Sequence, residues 1–323
     1  MILRLFGSCQ DLPQNPPVPR SSRACWDSFP VQHPGDILDG ICRDTLVLMK
    51  KSHLTVAMIV LSTLLCLRGA YGEELRNPVK ELLTSGKNVY GAFVSIAHPS
   101  VGNILAQSGV DFVWIDAEHA AVSIDQFLQI VMSVRGTRAI PLVRVSVNDV
   151  DHIKPFLDNG ALGVVVPNIR TVQDAQKAVQ ALKYPPEGNR RVGLGYSTGY
   201  VSNLSDYLKS ANRNILVVLM IETKEAVEHI DQILRVPGVD VFHVGLYDLS
   251  CSLGHLGQPD HPDVRKAVAS VEAAAAKANA TLGRAVGSLK QAEELSRKGY
   301  RFFTIGSDME FLAAGVKRFY GDR

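Results

Sequence analysis

Four short apolar runs in this sequence end in residues that can do chemistry. Phe112–Asp116 continues into Asp116-Ala117-Glu118-His119, and Ile140–Arg144 closes on Arg144. Ile215–Ile221 is followed by Glu222, and Val241–Gly245 is followed shortly by Asp248. Two carboxylates from neighbouring strands, Glu222 and Asp248, can bind a divalent cation and leave positions open for substrate and water. Such an ion polarises a carbonyl oxygen and stabilises an enolate. Arg144 can pair with a substrate carboxylate or a developing oxyanion. His119 can accept a proton near neutral pH, directly or through water. The set suits enolate chemistry on a 2-oxo acid.

Each residue also has a bland reading. Glu222-Thr223-Lys224-Glu225 resembles a helix start, Asp248 fits a turn, Arg144 could bridge to a helix carboxylate, and His119 could be an exposed loop residue. The bland account needs four coincidences at one end of the fold. Lys154 and Lys183 fall within helical stretches rather than at strand ends, which argues against Schiff-base chemistry. Cys251 is the one cysteine beyond residue 73, so any metal there must be held by carboxylates, histidines and water, as a hard cation prefers. His243 lies inside a strand and is expected in the barrel wall or core. His255 and His261 sit in a Gly/Pro-rich loop and are expected to be solvated.

The elements that must position these groups are read from period. From Glu73 onward about 250 residues remain, the usual length of an eight-fold β/α barrel. Eight apolar runs serve as strands: Asn88–Val94, Phe112–Asp116, Ile140–Arg144, Gly163–Pro167, Ile215–Ile221, Val241–Gly245, Thr281–Ala285 and Phe302–Ile305. They are mostly β-branched or aromatic, as strands buried on both faces should be. Between them lie amphipathic helices, among them Ser123–Arg135 and Thr171–Leu182, each opened by a hydroxyl cap, and the alanine-rich Asp263–Ala278. The alternation predicts an α/β fold, a (β/α)8 TIM barrel over 73–323. In such a barrel chemistry gathers at the C-terminal ends of the strands, where the four charged runs end.

The segment before the barrel divides in two. Residues 1–48 have clustered prolines and no period, which predicts a disordered extension. Residues 49–72 read as a signal peptide or anchor: Met49-Lys50-Lys51, an apolar run from Leu54 to Leu67, then small residues at Gly69, Ala70 and Gly72. The run is short for a membrane span. The reading expects a periplasmic or secreted protein, with a membrane anchor as the alternative, and places the true start at Met49. The whole chain has 323 residues, 46% of them hydrophobic, and a net charge of +2. That balance gives no electrostatic footprint for nucleic acid.

With those residues in hand, the chain resembles the HpcH/HpaI aldolase family of metal-dependent 2-oxo-acid aldolases. The matching stretches are Ile115-Asp116-Ala117-Glu118-His119-Ala120, Pro141-Leu142-Val143-Arg144, Phe156-Leu157-Asp158-Asn159-Gly160, Tyr184-Pro185-Pro186-Glu187-Gly188, Ile221-Glu222-Thr223 and Gly245-Leu246-Tyr247-Asp248-Leu249-Ser250. The resemblance implies His119 as base, Asp158 as the acid that raises its basicity, in some members from a neighbouring subunit, and Arg144 as the group that orients the oxo acid. It implies Glu222 and Asp248 as ligands of magnesium, manganese or cobalt, with Asp116 and Glu118 ordering water around the metal. It also implies a homo-oligomer, commonly a hexamer. Three positions depart from the family pattern: Met220 stands where glutamine is usual, Leu246-Tyr247 where Pro-Ala is usual, and Phe93 where tryptophan is common. The metal and base set is intact while the substrate-contacting set is altered. The implied reaction is cleavage of a 4-hydroxy-2-oxo acid to pyruvate and an aldehyde. The alternatives are a citrate-synthase-like condensation and an exported metal- and oxo-acid-binding protein without turnover.

Overall fold

The computed structural model describes residues 75–321. The extension over 1–48 and the signal-like segment over 49–72 lie outside the described residues. Eight parallel strands close into a barrel in sequence order. They are β1 (Val89–Val94), β2 (Phe112–Asp116), β3 (Ile140–Arg144), β4 (Gly163–Val166), β5 (Leu216–Ile221), β6 (Val241–Val244), β7 (Leu282–Val286) and β8 (Tyr300–Ser307). All eight expected strands form. β8 is longer than its apolar run because Tyr300 and Ser307 also enter the ladders with its neighbours. Hydrophobicity cannot flag a strand end that hydrogen bonding alone recruits.

α1 (Pro78–Thr84) closes the N-terminal end of the barrel, its Val79 and Leu83 packing with Val89, Ile140, Leu216 and Val241. An outer layer surrounds the strands: α2 (Pro99–Gln107), α3 (Ile124–Val134), α4 (Val150–Asp158), α5 (Val172–Leu182), α6 (Leu204–Asn214), the short α7 (Lys224–Glu228) and α8 (Ile230–Ile233), α9 (Leu246–Ser252), α10 (Pro262–Ala278), α11 (Leu289–Ser296) and α12 (Asp308–Tyr320). Ser123 and Gln126 form a reciprocal capping box at α3, and Thr171 and Asp174 do so at α5; the hydroxyl caps read from sequence are therefore in place. α12 differs from the rest. Its Met309, Phe311, Leu312, Val316, Phe319 and Tyr320 are all exposed. No helix among the described residues is long and apolar enough to cross a membrane.

The barrel is filled by side chains rather than open. Trp114 packs against Phe93 at 5.0 Å and His243 at 5.0 Å between ring centroids, and His243 stands edge-on to Phe302 at 6.2 Å. His243 thus lies in the core, as its place in a strand implied. Burial and the nearby Arg144 push its pKa down to about 3, so the imidazole is neutral.

Candidate active site

The site is assembled first around Asp116, at the end of β2. The turn that follows folds back over its carboxylate, whose Oδ1 accepts the backbone N–H groups of Glu118 at 3.1 Å and His119 at 3.2 Å. Strand register sets Arg144, the last residue of β3, directly beside it. Arg144 donates to Asp116 through Nε at 3.0 Å and a terminal nitrogen at 2.6 Å, a bidentate pair. Burial alone would raise the Asp116 pKa; the hydrogen bonds and charge of Arg144, with the two amides, hold it below the usual carboxylate range. Arg144 Nε also lies 3.2 Å from Glu118 Oε2, which in turn lies 3.5 Å from His119 Nε2. The guanidinium sits over Phe93 and Trp114, 6.0 and 5.9 Å from their ring centres. Arg144 is therefore locked before any substrate arrives, and His119 stands beside it with its ring open to solvent.

The second half comes from β5 and β6. Glu222 follows β5 and is buried, at 5% exposure. Its Oε1 accepts the backbone N–H of Asn168 at 2.7 Å. Asn168 follows β4 with φ of 55°, a left-handed conformation that asparagine tolerates better than most residues. Behind Glu222 stands Gly245, where an added Cβ would meet Glu222 Oε2 at 2.8 Å and its Cβ at 2.9 Å. Asp248, in the first turn of α9, is exposed at the opening. Burial, and then the charges of Asp248 and Glu118, push the Glu222 pKa up to about 7 against the pull of the Asn168 amide and Arg144. Glu118 is raised too, by burial and then by Asp116 and Asp248, against the pull of Arg144 and His119. Glu118, Glu222 and Asp248 thus repel one another across one space. An all-oxygen set, anionic beyond what one arginine balances and open on the Asp248 side, is the kind that a hard divalent cation fits.

Other expected residues fall around this centre. Phe93 and Met220 belong to the barrel interior beneath it, and Met220 is 3% exposed. Tyr247 is 70% exposed, next to Asp248. Asp158 stands apart within one chain: Lys154 holds its Oδ2 at 2.7 Å and Arg190 its Oδ1 at 3.0 Å. Arg190 is itself buried against Tyr184 and Tyr207. Lys183 is at the other end of the barrel, its Nζ donating to the backbone carbonyls of Asn212 and Ile215. Asn168, Gly245 and Arg190 were not singled out from sequence. Asn168 had a signal, since Pro167-Asn168 is where β4 ends, and Gly245 had one, since it opens the matching stretch that carries Asp248; Arg190 had none beyond its residue type.

A model of the HpcH/HpaI aldolase/citrate lyase family matches residues 89–314, from β1 into α12. The chain belongs to that family. Among its relatives, the 5-keto-4-deoxy-D-glucarate aldolase of Shigella sonnei (strain Ss046) is 33% identical over 246 residues, covering 75% of this chain and 94% of that enzyme. Among solved structures, an HpcH/HpaI aldolase/citrate lyase family protein from Burkholderia cenocepacia J2315 superposes with a TM-score of 0.71 at 31% identity, covering 75% of this chain and 97% of that one. The citrate synthase SbnG superposes with a TM-score of 0.67 at 29% identity, covering 74% and 94%. The match to the HpcH/HpaI family spans every strand of the barrel and every residue of the acidic mouth.

Proposed function

We propose that this HpcH/HpaI family member is a divalent-metal-dependent aldolase, a carbon–carbon lyase that cleaves a 4-hydroxy-2-oxo acid to pyruvate and an aldehyde. The observation that carries the reading is the excess of carboxylate around one arginine, with Glu222 pushed up to about 7. Glu222 and Asp248 would hold the cation, which supplies polarisation of the C2 oxo group and stabilises negative charge as the C3–C4 bond breaks. Magnesium, manganese and cobalt all suit the oxygen set.

The chain's own residues do the rest. Arg144, held by Asp116, pairs with the substrate's oxygens and fixes its orientation. His119 takes the proton of the C4 hydroxyl, directly or through water, and Glu118 beside it steadies the ring. The C4 oxygen then forms the aldehyde carbonyl, the C3–C4 bond breaks, and its electron pair passes to C3 as the enolate of pyruvate. A proton delivered to C3 completes pyruvate. Met220 and Tyr247 shape the wall and the rim against which the aldehyde half lies. The similarity to 5-keto-4-deoxy-D-glucarate aldolase supports a hydroxylated oxo-diacid as first substrate to try. Similarity to citrate synthase SbnG supports a second reading in which the same enolate condenses with another acyl or oxo acid.

The test is pyruvate release from 5-keto-4-deoxy-D-glucarate and shorter 4-hydroxy-2-oxo acids, followed by coupled lactate dehydrogenase. Pyruvate is expected with manganese, magnesium or cobalt and not with a chelator. Silence with every ion and every substrate overturns the reading. Product formation from oxaloacetate and acetyl-CoA alone favours the condensing enzyme.

The working unit is a homo-oligomer in this reading, a hexamer as in the resemblance. The exposed apolar face of α12 supports it, because water is a poor neighbour for six large apolar side chains on thirteen residues. Leu312→Asp is expected to lower the mass seen by light scattering.

A further inference from the structure

The loop between α9 and α10 carries two histidines that the sequence predicts to be solvated. In the fold they are organised. His255 and His261 stack with ring centroids 3.4 Å apart and planes 16° from parallel. His255 Nε2 lies 2.9 Å from Asp263 Oδ2, and His261 Nδ1 lies 3.6 Å from the same oxygen. A donor atom from each of the three residues falls within 4.8 Å of the others.

We propose that His255, His261 and Asp263 form a second cation site, separate from the carboxylate mouth and selective for a borderline ion such as zinc, nickel or copper. Metal–ligand bonds of about 2.0–2.1 Å place neighbouring ligand atoms roughly 2.9 Å apart in an octahedron and roughly 3.4 Å apart in a tetrahedron. The two histidine–carboxylate separations bracket the tetrahedral value. Two imidazoles and one carboxylate are a softer set than the all-oxygen mouth, so the sites divide ions between them.

Hydrogen bonds within the chain fix the shape of the loop. His255 N–H donates to the Ser250 carbonyl at 2.7 Å, Gln258 N–H to the His255 carbonyl at 3.0 Å, and His261 N–H to the Gln258 carbonyl at 3.0 Å. Gly254 and Gly257 take the positive φ of 83° and 71° that these turns require. Arg265 Nε ties the loop to α10 through the Asp260 carbonyl at 2.7 Å. The histidine side chains keep about a quarter of their surface in water (25% and 29%) and Asp263 keeps 62%, which leaves an open side where solvent completes the coordination. His261 Nδ1 accepts the Asp263 N–H at 3.2 Å as the cap of α10. Binding exchanges that neutral cap for a metal bond and opens the ring stack. Because the His255 amide hangs from α9, the same ion ties α10 to the helix that carries Asp248.

The test uses the untagged full chain with Glu222→Gln, which disables the mouth and separates this outcome from that of the aldolase reading. Equilibrium dialysis against zinc, with magnesium in excess, is expected to retain one ion per chain. The copper-loaded protein is expected to show nitrogen hyperfine splitting in its electron paramagnetic resonance spectrum. His255→Gln, which leaves the α10 cap intact, is expected to weaken binding by about 100-fold or more and erase the splitting; Asp263→Asn is expected to weaken it without removing the nitrogen signal. Stoichiometry and spectrum unchanged by His255→Gln, or no saturable binding of zinc, nickel or copper, overturns the site.

Discussion

The two ends of the barrel both bury titratable groups, and they treat them in opposite ways. At the N-terminal end, Lys183 donates to two carbonyls, Lys80 pairs with Asp240 at 2.9 Å, and Asp240 also accepts the Val217 amide at 2.8 Å. Burial and then Lys80 lower the Lys183 pKa to about 8, yet every partner is another part of the chain. At the C-terminal end, Asp116, Glu118, Glu222 and Asp248 face Arg144 and one exposed histidine, and the Asn168 amide and Arg144 offset only part of what burial, Asp248 and Glu118 do to raise Glu222. A buried charge that the fold satisfies is architecture. One that the fold leaves in surplus calls for something from outside, which here is a cation and a substrate.

That contrast can be broken in several ways. The largest effect is expected from Glu222→Gln or Asp248→Asn: each should lower kcat/KM for aldol cleavage by about 10³-fold or more, since lost charge stabilisation of several kcal/mol is worth that in rate. Activity that survives either change would move the centre elsewhere.

Stability should answer to pH with opposite slopes at the two ends. In metal-free protein the Glu222 carboxyl keeps its proton to about pH 7 when folded but loses it near 4.5 when unfolded. The folded state therefore binds more protons between those values, and stability falls as pH rises through that window. The shift corresponds to about 3 kcal/mol. Lys183 has a folded pKa of about 8 against 10.5 unfolded, so the unfolded state binds more protons there and stability rises from about pH 8 to 10.5. Urea titrations in chelator across both windows should show the two slopes. Glu222→Gln should flatten the first and Lys183→Met the second.

A smaller loss is expected from Gly245→Ala, because its Cβ would stand 2.8 Å from Glu222 Oε2. Displacing that oxygen should cut kcat by about tenfold and weaken manganese binding in a calorimetric titration. Least of all, Lys183→Met should leave kcat within about threefold while lowering the melting temperature, since nothing at that end touches substrate. A large catalytic loss there would erase the distinction between the two ends.

The sequence alone determined much of this molecule. Alternating apolar runs and capped amphipathic stretches dictated eight strands and the helices between them, because a strand buried on both faces must be apolar along its whole length. The charged residues closing four of those runs then had to meet at one mouth, because parallel strands carry their C-terminal ends to the same side. What only the tertiary structure decided are the relations that span strands far apart in the chain. The left-handed Asn168 that aims its amide at Glu222, the bare Cα of Gly245 behind it, and Arg190 closing on Asp158 carry no periodic signal, because each depends on where a distant backbone passes. The His255–His261 stack is of the same kind. Local pattern places two histidines in one loop, but only the turn of the chain over α9 lays one ring against the other.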